Sequence, residues 1–321
     1  MSVSAYSTLG LELTNLQVLS SGQAALGNLS TQLTTQKKSE DLADYSTSDA
    51  QNILNDAASL ASQNSYLSVI NTISARVSSY DTTLTSMEST MSTISSALTS
   101  AQTYNSSSNA SLTTQITSAL QSVGDYLNTT VDGKYIFSGS RYTEAPVTDL
   151  TALPVPPTDT VVTSPTLPVY DADYTGPGST STTAWTQNQI SIDDSNQLTY
   201  GVTSTQKGFQ ELILGLRWAY AATQDPTNYT ADMTTARNLM TAATNDIQSI
   251  HTSVSNSSAM LSTTQSTINT TISNLQTSKD ALENVDTNQV SVEITTYQST
   301  LEASYAAVAV LAKLSIVQYL T

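Results

Sequence analysis

A catalytic or metal site needs a base, a nucleophile or a set of ligands held in fixed geometry. The titratable residues of this 321-residue chain offer little of that kind. His251 is the only histidine and cysteine is absent, so zinc-type ligand spacings, thiol nucleophiles and disulfides are excluded together. His251 follows Ile250 in a heptad-patterned stretch and reads as a partly exposed helix residue. Asp171 and Asp173, within Tyr170-Asp171-Ala172-Asp173-Tyr174, and the later Asp193 and Asp194 offer oxygens of the type that bind Ca²⁺. They lack a full loop with a terminal bidentate Glu, and read as a solvated acidic loop. Trp185 and Trp218, with Tyr170 and Tyr174, have faces that stack on sugars or partners, but read as packing anchors. The triplets Asn28-Leu29-Ser30, Asn105-Ser106-Ser107 and Asn228-Tyr229-Thr230 arise readily in a chain so rich in Ser and Thr and carry no weight as modification sites. No catalytic, cofactor or metal residue is expected, and an enzyme is the weakest functional reading.

Composition points the same way. Ser and Thr make up about a third of the chain, whereas Phe and Trp contribute two residues each. That balance argues against a large compact core and for a thin helical seam. Ten basic against 26 acidic residues give a net charge of −16, which repels a phosphate backbone or an anionic bilayer, so neither nucleic acid nor membrane is an expected partner. No apolar run approaches about 18 residues, and Met1 to Gly10 lacks the basic and apolar regions of a cleavable signal.

The elements that would position any surface are long helices. Between Gln51 and Tyr104, Ile70, Val77, Leu84, Met91 and Leu98 recur at sevens, with Tyr66, Ile73, Tyr80, Met87, Ile94 and Ala101 in the complementary positions. Met233, Met240, Ile247, Val254, Leu261, Ile268, Leu275 and Leu282 repeat the pattern, supported by Ala236, Ala243 and Ile250 and weakened by Ser257, Thr264 and Thr271. Two such marginal helices gain stability by packing on each other, and an antiparallel pair is expected. Leu112, Ile116, Leu120, Val123 and Leu127 predict a third helix from Ser111 to about Val131. A hairpin is expected around Lys134 to Phe137 with Ser138-Gly139-Ser140. From Glu144 to Tyr200 the chain holds seven of its eight prolines, the β-branched run Thr160 to Thr163 and the alternation Gln189-Ile190-Ser191-Ile192, so a small β-rich insertion with long loops is expected.

Both ends are again helical. Leu9, Leu16, Leu19, Leu26 and Leu33 mark one helix, with Leu11, Leu13 and Val18 making it apolar on more than one side. Val290, Ile294, Tyr297, Leu301, Val308 and Leu311 mark the other, with Ala303, Ala306, Ala307, Ala309 and Ala312 nearby. Such helices need neighbours on several sides, so the ends are expected to pack fully only in an assembly. The fold class is therefore mainly α: an elongated antiparallel helical bundle or coiled coil built from N- and C-terminal segments, with a small β-rich inserted domain. The expected divisions are an N-terminal assembly helix at 1–45, a helical rod at 46–143 and 201–284, an outer insertion at 144–200 and a C-terminal assembly helix at 285–321.

Several segments resemble the bacterial flagellin family, which includes the hook–filament junction proteins. Gln23 to Lys38, with Leu26, Leu29 and Gln32-Leu33-Thr34-Thr35-Gln36-Lys37-Lys38 and then Asp41, is similar to the family's N-terminal segment, although Gln36 stands where a glycine is common. Asp132-Gly133-Lys134-Tyr135-Ile136-Phe137-Ser138-Gly139-Ser140, followed by Ala145-Pro146-Val147, resembles the passage from the helical to the outer domain, and Tyr200-Gly201-Val202 with Phe209 resembles the return. Val285-Asp286, Tyr297 to Tyr305, Ala312-Lys313-Leu314-Ser315 and Tyr319-Leu320 look like the C-terminal segment of a junction protein more than that of a flagellin. The resemblance covers residues 1–142 and 201–321. It implies a non-enzymatic subunit of an extracellular flagellum, exported without a cleaved signal. The implied partners are copies of itself, other hook-associated proteins, flagellin, the flagellar export apparatus and an export chaperone. Leu9, Leu16, Leu19, Leu26, Leu33, Leu301, Val308, Leu311, Leu314 and Leu320 are the expected assembly interface. A filament-forming flagellin is the alternative, and a secreted adhesin with a helical stalk is a more distant one.

Overall fold

The computed structural model describes residues 3–319 except 148, 154–155, 157–185 and 194–195, with side chains described from 13 to 310 within that range. Among the described residues there are six α-helices: α1 (Val3–Thr35), α2 (Thr47–Ser100), α3 (Ser106–Leu127), α4 (Lys207–Gln224), α5 (Tyr229–Glu283) and α6 (Thr287–Tyr319). The described residues also include four short strands, β1 (Thr130–Val131), β2 (Lys134–Tyr135), β3 (Gln189–Ser191) and β4 (Gln197–Thr199), and two 3-10 turns at Leu42–Asp44 and Leu150–Ala152. None of the described helices is long and apolar enough to cross a membrane. The chain forms two compact units, Met1–Asn64 with Thr270–Thr321, and Ser65–Asn269.

In the Ser65–Asn269 unit the heptad residues form the core. Ile70, Val77, Leu84, Met91 and Leu98 of α2 are buried, as are Met233, Met240, Ile247, Val254, Leu261 and Ile268 of α5. The polar contacts between these helices show their direction. Asn71 Oδ1 accepts from Gln265 Nε2 at 2.8 Å, His251 meets Asp81 and Glu88, and Arg237 Nε donates to Leu98 O at 2.9 Å. Partners fall in number on α5 as they rise on α2, so the pair is antiparallel, as expected. Thr and Ser suit the outer faces because many of their hydroxyls donate to the carbonyl four residues earlier, as Thr82, Thr85 and Thr93 do. This bonding satisfies the hydroxyl within the helix.

Element boundaries differ from the sequence reading for local reasons. Helix α2 begins at Thr47 rather than Gln51, because Ser46 Oγ accepts from Asp49 N at 3.1 Å and caps the first turn. It ends at Ser100, so Ala101 lies past the helix, where its carbonyl accepts from Tyr229 Oη at 3.2 Å and from Arg237 at 2.8 Å. Helix α3 starts at Ser106, capped by Asn105 Oδ1, which accepts from Ser107 N and Ser108 N. It stops at Leu127 rather than Val131, because Thr130 and Val131 pair with Tyr135 and Lys134. That pairing also corrects the expected hairpin. Its turn is Asp132-Gly133, with φ of 52° and 71°, and not Ser138-Gly139-Ser140. Asp-Gly suits a two-residue hairpin because both positions need positive φ. Ser138 instead bridges to Thr203, and Ser204 N donates to Phe137 O at 2.8 Å.

To the helical seam α4 adds a helix with buried residues on nearly every side: Phe209, Leu212, Ile213, Leu216, Trp218 and Ala219 among them. Bulk composition hid this because the apolar residues are concentrated in one short helix. Two glycines let α5 approach closely. A Cβ at Gly208 would sit 3.0 Å from Ile247 N, and one at Gly215 would sit 3.2 Å from Leu239 Cβ. Phe209 stacks edge-on to Phe137 at 5.8 Å and Phe137 to Tyr80 at 5.1 Å. Each such pair contributes about 0.5–1.5 kcal/mol beyond burial. Tyr80 also donates its hydroxyl to Ile136 O, and burial pushes that hydroxyl well above its ordinary pKa.

Most of the expected insertion, including Thr160 to Thr163, lies outside the described residues. Its described remainder contains β3 and β4, paired antiparallel with Ile190 opposite Leu198. A short 3-10 turn at Leu150–Ala152 brings Leu150 against Gly124 of α3.

Candidate assembly surface on the terminal helices

In the Met1–Asn64 and Thr270–Thr321 unit, α1 packs along α6. Leu19 and Leu301 are 7 % and 8 % exposed, and Leu29 and Val290 are also buried. Gly22 makes room for Leu301, whose Cδ2 lies 2.9 Å from where a Cβ would stand. Gln23 Nε2 donates to the Tyr305 hydroxyl. These contacts use a narrow strip of each helix, as expected for helices meeting along one line.

The two chain breaks of this unit are locked together. After α1, Gln36 adopts φ of 59°, the left-handed conformation that favours glycine. That geometry explains why glycine suits this position. It turns the chain so that Val285 N donates to Gln36 O at 3.0 Å and Lys38 N donates to Glu283 O at 2.7 Å. Lys38 Nζ donates to Leu282 O at 2.7 Å, supplying a cation where the end of α5 presents unpaired carbonyls. Lys37 Nζ pairs with Glu283 at 3.0 Å, and this hydrogen bond raises the lysine pKa.

Beyond the strip, apolar side chains face outward. Leu13 is 60 % exposed, Leu16 53 %, Val292 67 % and Val310 58 %, with Val18, Leu33, Tyr297 and Tyr305 also exposed. Charge is nearly absent: α1 has no charged residue between Leu13 and Thr35, and α6 has only Glu293 and Glu302 before Val310. An uncharged face of this kind is suited to burial against similar helices rather than to an ionic partner.

The structure divides the residues expected at the interface. Leu16 and Leu33 are exposed, Leu26 and Val308 are half-buried, and Leu19 and Leu301 are buried in the α1–α6 contact. The side chains of Leu9, Leu311, Leu314 and Leu320 lie outside the described residues. Val292 and Val310 were missed because they fall outside the stripe of α6. The signal that finds them is the one noted for Leu13 and Val18, apolar residues on a second side of a helix.

The residues considered for chemistry have other partners. Asp193 accepts from Asn196 N and Nδ2 at 2.7 Å each, closing the turn between β3 and β4. Trp218 is buried in α4. His251 lies between two carboxylates of α2. Asp171, Asp173, Asp194, Tyr170, Tyr174 and Trp185 lie outside the described residues.

Residues 237–320 match the bacterial flagellin C-terminal helical region, a span that includes most of α5 and all of the described part of α6. No curated protein matches the chain. Among solved structures, one from Vibrio parahaemolyticus, described as a flagellar hook-associated protein, aligns with a TM-score of 0.60 at 12 % identity. The alignment covers 75 % of this chain and all of that one. FlgL of Bacillus cereus aligns with a TM-score of 0.45 at 14 % identity, over 74 % of this chain and all of that one. Over residues 237–320 the chain is thus similar to the C-terminal helical region of the bacterial flagellins, and its fold is shared with the Vibrio protein.

Proposed function

We propose that the chain is a structural, non-enzymatic subunit of the bacterial flagellum, acting as an adapter at the hook–filament junction in the manner of hook-associated protein 3. The observation that carries this reading is the coincidence of the flagellin C-terminal match with the outward apolar face of α6. A helix pair that buries one strip and leaves Leu13, Leu16, Val292 and Val310 in water completes its packing when neighbouring subunits supply further helices. Repetition around a tube then sums small contacts into a rigid structure. On this reading residues 1–45 and 285–321 are assembly helices, and the segments 46–143 and 201–284 form the rod, with 144–200 inserted between them in the sequence. Leu16, Leu33 and Val308 meet neighbours, while Leu19 and Leu301 hold the pair together. The partners are further copies, other hook-associated proteins and flagellin, reached through the export apparatus with the help of a chaperone, and the working place is outside the cell.

Gene deletion separates an adapter from a filament-forming flagellin. Hooks that persist without filaments, with filament protein shed into the medium, are the expected result. Filaments attached normally to such cells would reject the adapter role, and loss of the filament protein itself would point to a flagellin.

A further inference from the structure

The single histidine is held in a way that the assembly surface does not require. His251 projects from α5, three and four residues from the buried Val254 and Ile247, at the edge of the packed seam. Its Nε2 lies 3.0 Å from Asp81 Oδ1 and its Nδ1 lies 3.0 Å from Glu88 Oε1. Asp81 and Glu88 are seven residues apart on α2, and therefore share a helix face about 10 Å apart along the axis, with the ring between them. Neutral imidazole has one N–H and one lone pair. In that state one of the two carboxylate oxygens would face a lone pair at hydrogen-bonding distance, which is repulsive. Both contacts are attractive only when both ring nitrogens carry protons.

We infer that Asp81, Glu88 and His251 form a proton-operated clasp between α2 and α5, closed while the imidazole holds both protons and released once it gives one up. Asp81 and Glu88 are the charged groups that act on the ring from the facing helix. On its own helix the nearby Asp246 is engaged by Lys207 at 3.0 Å. Burial of the ring works against its charge, but the hydrogen bonds to Glu88 and Asp81 together outweigh it, so the folded-state pKa is raised above 6.5. The sign follows from linkage. A cation whose folded pKa exceeds its unfolded value contributes stability that is fully present below 6.5 and is lost as pH rises through the folded value. The α2–α5 pairing is tightest in acid and loosens on the alkaline side. The ring keeps 21 % of its surface exposed, and Asp81 about half, so solvent screens the effect without abolishing it.

One histidine gives one imidazole signal, so nuclear magnetic resonance of the full chain reads the titration without assignment. The expected result is a midpoint above 6.5, lowered in Glu88→Gln and lowered in Asp81→Asn, with a midpoint lower by about one on the pH scale marking a tenfold loss of proton affinity. The melting temperature of the wild type should exceed that of His251→Gln most below 6.5, and the difference should close as pH rises through the measured midpoint. A midpoint at or below 6.5, or a melting difference that stays constant across that range, would overturn the clasp. Should His251→Gln fail to fold, Glu88→Gln tests the same dependence through the wild-type midpoint.

Discussion

Replacing four outward residues of the terminal helices separates assembly from folding. In the free chain Leu13, Leu16, Val292 and Val310 are already more than half exposed. Changing all four to Ser therefore removes little packing from the monomer, within about 0.5 kcal/mol at each position. In an assembly the same side chains would bury the surface that remains. Full burial of a Leu or Val contributes roughly 1.5–3 kcal/mol, so burying the exposed part gives about 1 kcal/mol each and about 4 kcal/mol for the four. At ~1.4 kcal/mol per tenfold change, association weakens roughly a thousandfold. Sedimentation against protein concentration reads the onset of association, and a circular-dichroism melt reads the fold. The expected outcome is an onset displaced by about three decades with an unchanged melt. By contrast, Leu84→Ser, at a fully buried position, should lower the melt by several kcal/mol of stability. An onset displaced by less than about tenfold in the quadruple variant would refute the reasoning, as would a melt that fell with it.

Other perturbations test the supporting framework. Gln36→Gly relieves a left-handed conformation that costs about 1–2 kcal/mol and adds about 0.5–1 kcal/mol of backbone entropy. It should slow hydrogen exchange at Val285 N, which donates to the carbonyl of this residue. Gly215→Ala places a methyl 3.2–3.3 Å from Leu239 and Met240 and should destabilise the chain by about 1–3 kcal/mol in a denaturant melt. Tyr80→Phe leaves the Ile136 carbonyl without the hydroxyl that donates to it, costing about 1–3 kcal/mol while the edge-on contact with Phe137 remains. Leu301→Asp puts a charge where Gly22 admits an apolar side chain. It should speed amide exchange in α1 and α6 while leaving the melt of the Ser65–Asn269 unit intact.

The long helices were legible because a seven-residue apolar series leaves one solution for its buried face, and Ile70 to Leu98 and Met233 to Ile268 took it. Ends were less legible, since they depend on single caps: Ser46 and Asn105 each moved a helix start by four or five residues. Asp132-Gly133 carried the hairpin signal, yet the serine- and glycine-rich stretch after it drew the turn downstream. Helix α4 lies within the stretch read as rod, and its Phe209, Leu212, Ile213 and Leu216 follow helical spacing, but that spacing does not reveal that most of its other residues are buried too. At the candidate surface, periodicity found the strip where α1 meets α6. It passed over Val292 and Val310, because these exposed residues do not repeat with the stripe that is already paired. The His251 contacts could not be seen from spacing within α5, as both partners come from residues more than 160 positions away.

Hydrogen exchange of the backbone amides, followed in the free chain and again in the assembled state, tests most directly the proposal that α1 and α6 complete their packing against neighbouring subunits. In the free chain their amides should exchange much faster than those of the buried stretches of α2 and α5, and on assembly they should slow to a comparable rate. Terminal amides already as protected in the monomer as those around Leu84 and Ile247 would contradict it.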